Sequence, residues 1–150
     1  MIPQLSDELL KLDNQFCFVV YALSRKITAH YRPLLQELGL TYPQYLVMLV
    51  LWERHGEGET GSPIKYLCER LMLDTGTLTP LLKRLEGSGW IQRARAEEDE
   101  RSIIVSLTQS GLDLKEQARD IPGKLVCQLS LPLDELVAVK QQLETLLRTS

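Results

Sequence analysis

The sequence predicts a mainly α chain (α+β), with a helix-turn-helix and an antiparallel hairpin in the middle and helical extensions at both ends. Three observations carry that prediction. Residues 62–70 and the segment ending at Glu86 are short amphipathic stretches separated by a break at Leu73-Asp74, the pattern of a helix-turn-helix. Directly behind them, residues 90–95 and 102–107 are rich in Ile and Val and enclose the polar loop AEEDER, which reads as a hairpin, or wing. Both chain ends carry apolar residues at helical spacing.

In chain order, Ser6 caps a first helix with Glu8 in its opening turn, running to about His30. Phe16, Val19, Val20, Leu23 and Ile27 form its apolar stripe, and Cys17 and Tyr21, four residues apart, share a neighbouring face. A short helix over 33–38 ends at Gly39. Thr41 caps the next helix, which reaches His55 with Pro43 in its first turn. After the connector GEGETGSP, Ser62-Pro63 reads as a cap followed by a first-turn proline, opening a helix to about Arg70. The second helix of the pair stops at Gly87-Ser88-Gly89. Thr108 starts another helix through 115–119, which Pro122-Gly123 breaks or bends. A last helix over 133–147 carries Leu136, Val139, Leu143, Leu146 and Leu147.

Bulk properties narrow the function classes. With 150 residues and 44% hydrophobic content, the chain can bury a core without disulfide or metal staples. A net charge of −3 gives no global sign of a nucleic-acid binder, so any such contact must come from a local basic surface. The N-terminus lacks the basic-then-apolar order of a signal peptide. The longest apolar stretch, residues 45–52, is far short of the ~20 residues that cross a bilayer. A cytosolic protein with no membrane partner is expected. Cys17, Cys68 and Cys127 lie far apart, with no CxxC pair and no His at ligand spacing. That predicts free thiols and neither metal nor cofactor.

The second helix of the pair has two faces. Leu78, Leu81, Leu82 and Leu85 follow the i, i+3, i+4, i+7 pattern of a buried face. Opposite them stand Thr75, Gly76, Thr77, Thr79, Pro80, Lys83, Arg84 and Gly87, a thin, partly basic surface that suits a major groove. Pro80 either kinks this helix or moves its start. Thr77 can bond bases or phosphates, and Lys83 and Arg84 can neutralise phosphate. The hairpin adds Arg93, Arg95 and Arg101; Asp99, two residues before Arg101, can orient its guanidinium for a narrow minor groove. Glu97, Glu98 and Glu100 oppose this unless they point away, and a charged loop by itself reads as a solvated turn. The combination with the helix-turn-helix points to duplex DNA. Two half-sites call for a dimer, and the apolar stripes of the terminal helices could pack across its two-fold axis or simply close a monomeric core. From composition alone, Cys17 is a buried cysteine on an amphipathic helix.

The chain resembles the MarR family over nearly its whole length. The segment LDTGTLTPLLKRLEGSGWIQR followed by EEDERSIIVSLTQSG carries the likeness, including an aspartate-x-arginine wing. Phe16-Cys17-Phe18 with Tyr31 and Tyr42 is similar to the organic hydroperoxide resistance regulators (OhrR) within that family. The resemblance implies a single domain over 1–150, with a winged helix-turn-helix at 62–107 and dimerisation helices at 5–40 and 108–148. It implies a homodimeric regulator, a repressor by expectation, that holds operator DNA when reduced and releases it on oxidation by an organic hydroperoxide.

The resemblance makes Cys17 the sensing thiol, hydrogen-bonded by Tyr31 and Tyr42 across the dimer, with Tyr21 and Phe16 beside it. The chemistry fits: the thiolate is the nucleophile, phenol donors favour that charged form, and attack on a peroxide yields a sulfenic acid. Apolar Phe16 and Phe18 would favour organic over inorganic peroxide. Cys127 stands near the resolving position of two-cysteine members, implying an intersubunit Cys17–Cys127 disulfide; Cys68 fits a core position. Three rivals remain at this level: a repressor released by a non-covalent ligand, a thiol peroxidase acting through Cys17, and an interaction module with a decayed wing.

Overall fold

The computed structural model describes residues 7–99 and 101–150, so the expected Ser6 cap lies outside the described residues. The chain divides into two compact units, Met1–Arg119 and Asp120–Ser150. Among the described residues no helix is long and apolar enough to cross a membrane.

In the first unit, residues 7–9 form a helical turn and Leu12–Asn14 a 3-10 turn, before helix α1 (Phe16–Gln36). Two helices were expected over this stretch, breaking before Pro33; α1 instead runs through it. Pro33 leaves the Ala29 carbonyl without its helical donor. Both residues are exposed, so water can serve that carbonyl and the helix continues. Gly39 (φ +71°) ends the turn that follows, with the Leu40 amide donating to the Leu35 carbonyl at 3.1 Å. Thr41 then caps α2 (Tyr42–Gly56) through a full capping box: its hydroxyl accepts from the Gln44 amide at 3.4 Å, and its own amide donates to Gln44 Oε1 at 3.0 Å. Helix α2 is the core helix, burying Tyr45, Val47, Met48, Val50, Leu51 and Trp52.

Ser62-Pro63 departs from the expectation. The pair is a short strand, β1 (Ser62–Pro63), antiparallel to β3, with Ser62 opposite Val105 and Pro63 opposite Ile104. Pro63 then serves as the N-cap of α3 (Ile64–Leu71). A proline has no amide to donate, which suits it to an edge strand, and β1 is at the edge of the order β1-β3-β2. The link to α4 (Thr75–Gly87) turns at Met72, which adopts a left-handed φ of 56°, before the Asp74 carboxylate caps α4 by accepting from the Thr77 amide at 2.6 Å. Helix α4 continues across Pro80 from a start at Thr75, and buries Leu78, Leu81, Leu82 and Leu85 as their spacing predicts.

Strands β2 (Ile91–Arg95) and β3 (Ile103–Leu107) pair in register from Ile91–Leu107 to Arg95–Ile103. Helix α5 (Gln109–Ala118) closes the unit. Its cap, Thr108, accepts from the Gly111 amide at 3.0 Å and donates to the Gly89 carbonyl at 2.6 Å. Gly111 is compelled by packing: a Cβ there would stand 2.1 Å from the Trp90 carbonyl oxygen. The Gly111 carbonyl in turn accepts from the buried Trp52 indole at 2.8 Å, so this corner locks α5 to α2.

The second unit holds α6 (Ile121–Gln128) and α7 (Leu133–Thr149). Pro122 sits in the first turn of α6, so the expected break is the start of a new helix. On α7 the apolar residues Leu133, Val137, Val139, Leu143, Leu146 and Leu147 are exposed in the single chain.

Candidate functional site

Helix α4 presents Thr75, Thr77, Pro80, Lys83, Arg84 and Gly87 on its exposed side, with Thr79 half-buried. The Thr79 hydroxyl donates to the Thr75 carbonyl at 2.8 Å, which leaves its lone pairs free to accept. Lys83 and Arg84 pair with no carboxylate among the described residues. The Asp74 cap is an ionised one: hydrogen bonds from Thr77 hold its carboxyl below the usual carboxylate range. A capped start and a leucine face pressed on the core make α4 a rigid rod with one free, partly basic edge.

The wing corrects two expectations. Arg93 is not a free cation. The Glu86 carboxylate accepts from the Arg93 backbone amide at 2.8 Å and from its guanidinium at 3.0 Å, leaving the arginine side chain only 20% exposed. Those hydrogen bonds hold the Glu86 carboxyl below its usual range, and they tie the end of α4 to the first wing strand. Asp99, in turn, does not grip the Arg101 guanidinium. Its carboxylate accepts from the Arg101 backbone amide at 3.0 Å and from the Ser102 hydroxyl at 3.3 Å. It therefore shapes the turn that carries Arg101, which is exposed, as is Arg95.

At the other candidate site, Cys17 is the second residue of α1 and is exposed, so it is not the buried thiol that composition suggests. Phe16, Phe18, Val19, Val20 and Leu23 are exposed around it, Phe16 by 60%. Tyr21 is exposed too, with the Arg25 guanidinium 5.6 Å from its ring centre. Tyr31 and Tyr42 do meet, their ring centres 4.6 Å apart. A third phenol, Tyr45, joins them at 5.7 Å from Tyr31 and 6.5 Å from Tyr42. Such aromatic pairs contribute about 1 kcal/mol each beyond the area they bury. Burial raises all three phenols above the usual value, and the neighbouring phenols push Tyr31 further, to about 12. All three therefore stay protonated near neutral pH and remain hydrogen-bond donors.

Cys17 is not among them within one chain. It and Tyr31 lie on the same uninterrupted helix fourteen residues apart, about 21 Å by helical rise. Fourteen residues make nearly four turns, so the two side chains leave the same face of α1. Beside the phenols runs an open cleft of about 520 Å³, lined by Thr28, Arg32, Leu40, Thr41, Tyr42 and Pro43 among others. Cys127 is exposed on α6. Cys68, expected in the core, is only partly buried, its sulfur 3.8 Å from the Thr75 hydroxyl. Among the described residues no His, Cys, Asp or Glu cluster could hold a metal ion.

Sequence reasoning missed Glu86 and Tyr45. Tyr45 stands three residues after Tyr42 on a helix, a spacing that puts both on one face and could have flagged it. Glu86 had no such signal, because its partner arrives seven residues later on a strand.

A helix-turn-helix followed by a β wing, with a basic edge on its second helix, defines a winged helix-turn-helix regulator of transcription. A family described as "Transcriptional regulator SarA/Rot" matches residues 29–118. The chain is 51% identical to the organic hydroperoxide resistance transcriptional regulator of Bacillus subtilis, over 93% of this chain and 92% of that protein. It is similar to the solved structure of reduced AbfR bound to DNA, with a TM-score of 0.78 and 37% identity, covering 97% of this chain and 98% of that one. Reduced MarR from E. coli is similar at a TM-score of 0.69 and 25% identity, covering 89% and 96%. The chain belongs to the MarR family of transcriptional regulators, in its organic hydroperoxide resistance branch. It is a regulator and not an enzyme.

Proposed function

We propose that two copies of the chain hold operator DNA while Cys17 is reduced, acting as a cytoplasmic repressor, and release it when an organic hydroperoxide oxidises that thiol. One observation carries this reading: Tyr31, whose ring meets that of Tyr42 on α2, leaves the same face of α1 as Cys17 but about 21 Å along it. Two α1 helices crossing antiparallel with their two-fold axis at Ser24, midway between positions 17 and 31, bring each Cys17 beside the partner subunit's Tyr31. The exposed Val20, on the Cys17 side of α1, would be covered by the same pairing.

In this reading the protonated phenols donate to the Cys17 thiolate and then to the departing oxygen. The thiolate attacks one oxygen of ROOH, the O–O bond breaks, and the alkoxide leaves as ROH after taking a proton. Sulfur becomes a sulfenic acid. A second thiol then attacks it, expelling water and forming a disulfide; Cys127 has the exposure this step requires. Apolar surroundings at Phe16, Phe18 and Leu40 favour organic peroxides. On the DNA side, α4 enters the major groove with Thr75, Thr77, Thr79 and Pro80 toward the bases. Lys83, Arg84 and Arg95 meet phosphates, and Arg101 reaches the minor groove from the turn that Asp99 shapes.

A gel shift on DNA upstream of the chain's own gene tests the reading, run reduced, then with cumene hydroperoxide, then after dithiothreitol. Loss and recovery of the complex are expected, with Cys17→Ser binding throughout. Release of that variant by the peroxide would overturn it.

A further inference from the structure

The tyrosine cluster contains one more ring than the thiol chemistry uses. Tyr42 and Tyr45 stand one turn apart at the start of α2, where the Thr41–Gln44 capping box fixes the helix. Tyr31 comes from α1, so the cluster is a joint between two helices. The three ring centres, separated by 4.6, 5.7 and 6.5 Å, form a closed triangle in which each ring lies within aromatic-pair distance of both others. Burial is graded across it: Tyr31 and Tyr42 are partly exposed, whereas Tyr45 is 2% exposed.

We propose that Tyr45 is a positioning residue for the thiol sensor, its buried flat ring fixing Tyr31 and Tyr42 in the arrangement that meets the partner's thiol. This rests on the reading that those two phenols serve Cys17. Tyr45 need not touch peroxide or sulfur. It limits the rotamer freedom of two half-exposed tyrosines by closing one side of each with a buried ring. The role belongs to the ring and not to the hydroxyl, because the triangle is closed by faces and edges. The phenols of Tyr31 and Tyr42 remain the donors.

The experiment compares Tyr45→Phe, which keeps the ring, with Tyr45→Met, which keeps bulk without a flat face; Tyr45→Leu takes its place if the Met variant does not fold. Sulfenic acid formation at Cys17 is followed with cumene hydroperoxide, alongside the operator Kd of the reduced protein. Oxidation is expected at the wild-type rate in Tyr45→Phe and about tenfold to a hundredfold slower without the ring, the scale of a small misplacement of reacting groups. Operator affinity is expected to be unchanged in both. Wild-type oxidation without the ring overturns the proposal, as does equal slowing in Tyr45→Phe or a parallel loss of operator affinity. A Tyr31→Phe/Tyr42→Phe variant separates the layers. If it oxidises at the wild-type rate, the thiol–phenol reading itself fails; if it is slow while the Tyr45 variants are not, only the positioning role falls.

Discussion

In the winged helix-turn-helix, three carboxylates of the same chain fix the frame that carries the candidate surface. Asp74 caps the reading helix, Glu86 ties its end to the wing through Arg93, and Asp99 folds the turn that presents Arg101. At the tyrosine cluster the phenols are equally well fixed, yet Cys17 lies about 21 Å from Tyr31 along α1. The winged helix-turn-helix is tied together within one chain, whereas in that chain Cys17 and the phenols stand apart. On the proposed reading, the regulator keeps a rigid grip on nucleic acid while its chemistry sits at the junction of two subunits, where a covalent change alters how the two heads stand.

The strongest way to break that comparison is complementation. A heterodimer of a Cys17→Ser protomer with a Tyr31→Phe/Tyr42→Phe protomer holds one intact sensor if the site is shared, and none if it lies within a chain. Peroxide-induced release is expected from the mixed dimer and from neither homodimer, read by gel shift. Next, Arg101→Ala is expected to weaken operator binding about tenfold to a hundredfold, the worth of a specific arginine contact, and to leave Cys17 oxidation untouched. Loss of peroxide sensitivity in that variant would mean that the two regions are not separable.

Smaller effects sharpen the picture. Glu86→Gln keeps the shape of the latch and removes its charge, and about a threefold to tenfold loss of operator affinity is expected, measured by fluorescence anisotropy. Because Arg93 holds the Glu86 carboxyl below its ordinary value of 4.5, the latch is complete above that pH and is lost as pH falls below it. Lys83→Ala should cost little at low salt but lower the slope of log K against log salt by about two per dimer, one phosphate from each protomer. Least visible near neutrality is Tyr31. Its phenol is raised from 10.0 to about 12, so its contribution to stability is whole below 10 and is lost as pH rises toward 12, which alkaline unfolding followed by circular dichroism would detect.

Particular residues show how much of this was legible. The leucine face of α4, the Thr41 and Thr108 caps and the wing strands stand where their local patterns put them, because a cap or a helical stripe involves residues within about four positions. Pro33 misled in the other direction: the rule that proline ends helices yields where the orphaned carbonyl can reach water. Ser62-Pro63 carried a good cap signal and was drawn instead into a strand by β3, some forty residues later.

The order of elements, the basic edge of the reading helix and the thiol flanked by phenylalanines follow from the amino-acid sequence, since each depends on near neighbours in the chain. Packing decided which cations stay free and which phenols stack: Arg93 was claimed by Glu86, Asp99 turned to the backbone, and Tyr45 closed the aromatic triangle. Those choices join residues on separate elements, and the free energy of such a contact depends on burial and distance that no local pattern encodes.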